Sequence, residues 1–285
     1  MMLIAQISDI HITRGGLPAY GIADTLSSLQ EVIGELNRLD PTPEAVIISG
    51  DISDDGSPES YAIVGQLLTE LNMPFYLTPG NHDQKQNLAN AFADHDYLAT
   101  ALEQSGGDAI CYTVDTYPVR LIGLDTVITG EHGGGLNENR LDWLDKTLSQ
   151  NPSKPTLIFM HHLPCVSSIV GMDTEPFVNS AAFARLIARH DQIQRITCGH
   201  LHRPIASQFG STVLTVSPGV GMQLNLDLRT HVAAGFIMEP TAFLLHHWLA
   251  DWDGELRLLT HTHTIQGSDY RWGAPHRFTD VVSPS

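Results

Sequence analysis

The run "GNHD" (residues 80–83) sets an amide, an imidazole and a carboxylate side by side directly after the apolar, β-prone "MPFYLTP". Four more segments have the same form. "SDIH" carries Asp9 and His11, "SGDIS" carries Asp51, "MHH" carries His161 and His162, and "CGHLH" carries His200 and His202. Any one of them has a plain explanation, because Asn, Gly and Asp make turns for local reasons. Five in one chain, each behind a hydrophobic run, are hard to explain as turns. Residues two apart in extended backbone project to the same side, so Asp9 with His11, and His200 with His202, are each expected to grip an ion from one wall of a cleft. The donors are two carboxylates, one amide oxygen and several imidazoles, with no thiolate, a set that suits Mn, Fe, Co or Zn.

Such side chains need elements to present them. "LIAQIS" (3–8), "AVIISG" (45–50), "PFYLTP" (74–79), "RLIGLD" (120–125), "TLIFMH" (156–161) and "RITCGH" (195–200) are strand-like in length and composition. Leu26, Leu29, Val32, Ile33, Leu36 and Leu39 follow helical spacing, closed by Pro41 and Pro43. Ser57 and Pro58 read as the N-cap and first-turn proline of a second helix. Leu141, Leu144 and Leu148 mark a third, and residues 181–189 a fourth. This alternation predicts an α/β sandwich on largely parallel strands. Ligands of open α/β sheets bind outside the carboxyl ends of the strands, where all five polar segments lie. After residue 205 the chain turns to "TVLTVS", "AAGFIM", "AFLLHHWL" and "ELRLLTHTHT", with little helix between them. Three parts are therefore expected: a catalytic core over 1–205, antiparallel strands over 206–265 that complete the second sheet and form a dimer surface, and a polar arm over 266–285.

Composition narrows the function. A chain of 285 residues with 42% apolar content can bury a real core. With 32 acids against 15 bases the net charge is −17, which argues against a nucleic-acid polymer as partner. Cys111, Cys165 and Cys198 are sparse and unpaired in spacing, which fits a reducing, cytoplasmic setting. The opening "MMLIAQISDIH" lacks the basic region and cleavage site of a signal peptide. The most apolar long stretch, 232–250, is interrupted by Glu239, Pro240, His246 and His247, so no membrane span is expected.

The ordered set "DIH … GD … GNHD … H … GHLH" resembles the calcineurin-like metallophosphoesterase superfamily over about residues 3 to 205. "GDISDDGSPESY", "YLTPGNHD" and "AYGIADT" are similar to its bacterial cyclic-nucleotide phosphodiesterase and glycerophosphodiesterase branch. The resemblance implies a four-layer α/β/β/α sandwich of two mixed sheets with a dinuclear metal centre at the carboxyl ends of the strands. It places Asp9, His11 and His202 on one ion, Asn81, His161 and His200 on the other, and Asp51 between them.

Two divalent ions in such a centre share a hydroxide and clamp a phosphoryl group for in-line attack. His82 has two readings: a hydrogen bond that fixes its loop, or the resemblance's reading, contact with the phosphoryl group and help to the leaving oxygen. Asp83 is expected to orient neighbours or cap the next helix, and His162 to orient a ligand from outside the coordination sphere. His246, His247, His261 and His263 are expected at a surface or interface. The expected activity is metal-dependent hydrolysis of a small phosphodiester, a cyclic nucleotide or a glycerophosphodiester, by a homo-oligomer. The alternatives are a phosphomonoesterase on the same centre, with Arg14 and Arg203 as extra cationic clamps, and a non-catalytic scaffold.

Overall fold

The computed structural model describes residues 1–265, so the expected arm over 266–285 lies outside the described residues. Thirteen strands are described: β1 (Met2–Ile7), β2 (Ala45–Ser49), β3 (Phe75–Thr78), β4 (Tyr112–Val114), β5 (Arg120–Gly123), β6 (Thr156–Phe159), β7 (Ile193–Cys198), β8 (Ile205–Phe209), β9 (Thr212–Val216), β10 (Gln223–Leu224), β11 (Phe236–Ile237), β12 (Ala242–Ala250) and β13 (Leu256–Thr264). The helices are α1 (Thr25–Arg38), α2 (Pro58–Leu68), α3 (Lys85–Ala91), α4 (Asp96–Gln104), α5 (Glu138–Gln150) and α6 (Ser180–Ile187).

Two mixed sheets form, in the orders β13-β12-β1-β2-β3 and β4-β5-β6-β7-β9-β8, with β10 and β11 as a separate ribbon. β1, β2 and β3 run parallel, as do β5, β6, β7 and β9. The central strands are buried along their whole length, the usual state of parallel strands covered on both faces. Leu29, Val32, Ile33 and Leu36 of α1 and Tyr61, Val64 and Leu68 of α2 pack on the first sheet. Leu144 and Leu148 of α5 and Phe183 and Ile187 of α6 pack on the second. The layers are therefore helix, sheet, sheet, helix. Side chains open several helices: Asp24 accepts from Ser27 N at 3.1 Å, Ser57 from Ser60 N at 3.2 Å, and Asn137 from Arg140 N at 3.0 Å.

The strands after residue 205 are shared between the sheets, which differs from the expectation of one destination. β8 and β9 extend the second sheet, with β9 parallel to β7. β12 and β13 extend the first. β1 is buried throughout and needs main-chain partners on both sides; β2 supplies one and β12 the other. This puts His246 between the sheets, fully buried, rather than at a surface. Its Nε2 lies 2.9 Å from Gln6 Oε1 and its Nδ1 2.9 Å from Thr260 Oγ1. Gln6 in turn donates to Ser49 Oγ at 2.8 Å and Cys198 O at 3.0 Å. One buried amide thus joins β1, β2 and β7, whose carboxyl ends carry Asp9, Asp51 and His200.

Candidate metal centre

Seven of the predicted side chains converge where the two sheets open at the same end. Asp9 and His11 follow β1, Asp51 follows β2, Asn81 follows β3, His161 follows β6, and His200 and His202 follow β7. His11 Nε2 lies 3.2 Å from His202 Nε2 and 3.5 Å from Asp51 Oδ2. His202 Nε2 is 3.4 Å from Asp9 Oδ1. His161 Nε2 is 3.2 Å from Asp51 Oδ2 and 3.1 Å from Asn81 Oδ1. The His200 ring stands with its centroid 5.1 Å from that of His161. Asp51 lies between the two groups.

The far nitrogens of three rings decide what the near ones present. His11 Nδ1 donates to Asp54 Oδ1 at 3.1 Å, His161 Nδ1 to Ser49 O at 2.8 Å, and His202 Nδ1 to Met222 O at 3.2 Å. Oxygen partners of these kinds only accept, so each neutral ring turns a lone pair inward from Nε2. Those lone pairs meet carboxylate and amide oxygens, and one another, in a cluster made of acceptors. Asp9 Oδ2 is buried and accepts no hydrogen bond. An acceptor-only cluster in a buried site calls for cations, and the oxygen and imidazole donors fit divalent transition metals. Protons compete for the same lone pairs. Burial works against a charge on His161, yet the Asp51 and Asp9 carboxylates push its pKa up to about 9. Burial would raise the Asp51 carboxyl, but the charges of His161, His11 and His82 and the hydrogen bond to His161 hold it well below the usual range. For His200, burial, then the His161 charge, outweigh the pull of the Asp51 carboxylate and bring it down to about 3.

The backbone here is unusual. Asp9, His11, Asp51, His200 and His202 all have left-handed φ, between 45° and 69°. The strands end at Ile7, Ser49 and Cys198, so these residues are not in extended backbone. Asp9 and His11 do meet in space, together with His202, but through left-handed residues at alternate positions rather than through the strand alternation expected, and His200 sits with His161 and His162 instead. Asp and His tolerate this region better than most side chains, and strained backbone of this kind gathers at functional sites. Gly80 is required by close approach: a Cβ there would lie 2.2 Å from Asp51 Oδ1.

Residues 2–204 match the family model described as calcineurin-like phosphoesterase. The chain belongs to the calcineurin-like phosphoesterase family. A probable glycerophosphodiester phosphodiesterase of Arcobacter nitrofigilis is 35% identical over 265 residues, covering 93% of each chain. A 3',5'-cyclic adenosine monophosphate phosphodiesterase of Pseudomonas aeruginosa is 29% identical, covering 78% of this chain and 77% of that one. Among solved structures, a dimetal phosphatase from Danio rerio superposes with a TM-score of 0.61 at 18% identity, over 92% of this chain and 98% of that one. At that identity the likeness speaks for the fold alone.

The remaining predicted residues of this calcineurin-like phosphoesterase take distinct places. His82 borders the cleft with a quarter of its side chain exposed. Its backbone N donates to Asp51 Oδ1 at 2.9 Å, and its Nδ1 donates to Asp54 O at 2.8 Å, leaving Nε2 free. Asp83 does not cap α3; Gln84 does, accepting from Asn87 N at 2.6 Å. The Asp83 carboxylate instead accepts from Gly80 N, Ile52 N, Ser53 N and Tyr61 Oη at 2.9–3.1 Å, which ties the Asn81 loop to the Asp51 loop. His162 Nδ1 lies 2.8 Å from Thr126 Oγ1, and Nε2 donates to His132 O at 3.1 Å. Both its nitrogens are engaged away from the centre, and its ring packs against those of His161 and His200.

Asp54 was not singled out from sequence, where it is one more acid in "GDISDD". It holds His11 through its carboxylate and His82 through its carbonyl. Only its spacing of three from Asp51 hinted at a role. Arg14 and Arg203 flank the motifs but do not enter the cleft. Arg14 pairs with Glu59 at 2.9 Å, and Arg203 donates to Leu224 O at 2.7 Å and Glu239 Oε1 at 3.0 Å. The "HTHT" histidines form no metal-like cluster among the described residues.

The centre lies at the base of a cleft of about 590 Å³, within the range of small-molecule sites. Beyond the converging polar groups its walls include Tyr20, Met172, Glu175, Met222, Leu224 and Phe236, and no Lys or Arg lines it among the described residues.

Proposed function

We propose that this chain is a two-metal hydrolase of small phosphodiesters, with Asp9, His11 and His202 holding one ion, Asn81, His161 and His200 the other, and Asp51 touching both. The acceptor-only cluster around Asp51 carries this reading. Two bound divalent ions supply Lewis-acid stabilisation of phosphoryl oxygens and lower the pKa of attacking water. Mn, Fe, Co and Zn all suit these donors. The relatives' named activities, on glycerophosphodiesters and cyclic nucleotides, support a diester as substrate.

The residues around the ions have defined tasks in this reading. Asp51, held against His161, His11 and the His82 backbone N–H, fixes the two halves of the site relative to each other. His82 acts through Nε2. With Nδ1 donating to Asp54 O, a neutral His82 offers only a lone pair there. The imidazolium offers a proton, so the protonated ring is the form that contacts a phosphoryl or leaving oxygen.

Charge favours the diester over the monoester. Two divalent ions (+4) against Asp9 and Asp51 (−2) and an attacking hydroxide (−1) would leave about +1. A singly charged diester matches it, whereas a doubly charged monoester needs further cations, and Arg14 and Arg203 are engaged elsewhere. A cytoplasmic homo-oligomer belongs to the same proposal, supported by three free cysteines and by exposed Leu256 and Leu259 on the edge strand β13. No helix among the described residues is long and apolar enough to cross a membrane.

The test is a rate comparison of bis(4-nitrophenyl) phosphate with 4-nitrophenyl phosphate, using protein loaded separately with Mn, Fe, Co and Zn. A diester preference of tenfold or more, about 1.4 kcal/mol in barrier, is expected. Preference for the monoester in every metal form would refute the reading.

A further inference from the structure

The loop between β5 and α5 carries a histidine that the functional reading leaves unused. Its base is closed: Val127 bridges Gly134, and Gly135 N donates to Thr126 O at 2.8 Å. Nearer the tip, Glu131 N donates to Ile128 O at 3.1 Å. The buried His162 ring lies against this loop. Its Nδ1 is 2.8 Å from Thr126 Oγ1, and its Nε2 donates to His132 O at 3.1 Å. The approach is close enough to require glycine, since a Cβ on Gly134 would lie 2.3 Å from Cγ of His162. On the other side of His132, Gly133 N donates to Glu175 Oε2 at 2.5 Å.

His132 therefore has its backbone tied and its side chain untied. It is exposed and lines the metal cleft. The imidazole has no hydrogen-bond partner among the described residues, and its centroid stands 6.4 Å from that of His82. That spacing suits one phosphoryl group. A ring nitrogen lies about 1 Å from its centroid and donates over about 3 Å, so each ring reaches an oxygen about 4 Å from its centroid. The two rings can thus bond to one oxygen, or to two oxygens of the same phosphoryl group. No Lys or Arg lines the cleft among the described residues. Of the imidazoles that line it, His11, His200 and His202 are ion ligands in the proposed reading, which leaves His82 and His132 for the substrate.

We propose that His132, held in place through His162, is a second imidazole contact for the phosphoryl oxygens of the substrate, working beside His82. The inference rests on the diesterase reading, because the phosphoryl group held by the ions is the one that both rings reach. A hydrogen bond to a charged oxygen is shorter and stronger than a neutral one. With the backbone on either side of His132 already fixed, substrate binding has only the ring left to order.

The experiment compares wild type with His132→Ala and His132→Gln, each as the full chain with metals bound. Calorimetry with dimethylphosphinate, a phosphoryl monoanion with no ester bond to hydrolyse, reads binding without turnover. His132→Ala is expected to weaken this binding about tenfold, the size of one hydrogen bond to a charged group, with both ions retained by metal analysis. His132→Gln keeps an N–H donor and is expected to recover part of the loss. On bis(4-nitrophenyl) phosphate, kcat/KM of His132→Ala should fall by a similar factor. Dimethylphosphinate binding within about twofold of wild type in His132→Ala would overturn the contact. Loss of an ion from that variant would overturn it too, since the residue would then be acting through His162 on the metal ligands. Wild-type protein that binds dimethylphosphinate but hydrolyses no diester would sink the diesterase reading, while the His132 contact is judged on the binding ratio.

Discussion

Replacing Asp54 tests whether the orientation of His11 is set from outside the ion-facing cluster. The His11 ring is buried, with 1% of its side chain exposed, and its Nδ1 donates to Asp54 Oδ1 at 3.1 Å. Asp54→Ala leaves that N–H facing a gap at the protein edge and frees the ring to turn or change tautomer. His11 Nε2, 3.2 Å from His202 Nε2, would then lose its fixed aim. Loss of such an outer partner typically costs 10–100-fold in metal affinity, equivalent to about 1.4–2.8 kcal/mol. The loss should fall on the ion held by Asp9, His11 and His202, because His161 is oriented by Ser49 O and His202 by Met222 O, neither of which changes. Asp54→Asn keeps an acceptor oxygen and should recover part of the affinity. His82 is held by the Asp54 carbonyl, so neither variant removes its anchor. Equilibrium dialysis with metal analysis measures the two affinities separately. An unchanged affinity at both sites in Asp54→Ala, or an equal loss at both, would refute the assignment of Asp54 to His11.

Other outcomes follow from the same geometry. Asp51→Ala should abolish the paired centre, whereas Asn81→Ala should spare the ion at Asp9, His11 and His202; two tightly held ions in Asp51→Ala would show the ligand assignment wrong. His82→Ala, with metals intact, should slow alkyl diesters by about 10²–10⁴-fold and nitrophenyl diesters far less, since nitrophenolate needs no proton to leave; equal losses would point to binding of the phosphoryl oxygens instead. His246 bears on stability: burial, then the Arg195 charge, pulls its pKa down to about 3, against about 6.5 in the unfolded chain. The unfolded state therefore binds the extra proton between those values, and this stability is full above pH 6.5 and falls by about 1.4 kcal/mol per pH unit as pH drops toward 3. Denaturant melts of metal-free protein across that window should show a shallower acid slope for His246→Gln than for wild type, and identical slopes would show that His246 titrates normally.

The candidate ligands were legible because each follows a hydrophobic run at a strand end, a pattern that short-range chemistry writes directly into sequence. Their conformation was not. The left-handed φ of Asp9, His11, Asp51, His200 and His202 comes from tertiary bonds, and no local propensity announces five such residues. Asp54 and the carbonyls of Ser49 and Met222 were hidden for a related reason: an outer partner needs only an oxygen at the right place, and any residue supplies one. α3 and α4 escaped because they are short and lie in a polar stretch with little periodic signal. His246 reads as the polar half of an alternating strand, and only the pairing of β12 with β1 turns it inward.

The site is held by means that do not require the ions. Each left-handed residue costs about 1–2 kcal/mol against ordinary backbone, so the loops must be fastened independently if the donors are to be in place before metal arrives. They are fastened by main-chain bonds from one ligand loop to the next: Asp9 N to Gly50 O at 3.1 Å, His11 N to Asp51 O at 2.9 Å, and Gly199 N to His161 O at 2.9 Å. His200 N adds a bond to Asp9 Oδ1 at 3.0 Å. These bonds link β1 to β2 and β6 to β7 at their carboxyl ends, and Gln6 spans the sheets beneath them. Positioning thus belongs to these main-chain bonds, to Gln6 and to the Asp54 and Asp83 carboxylates, which leaves lone pairs such as those of Asp9 Oδ2 facing inward. Such inward lone pairs are the capacity through which divalent ions would be bound.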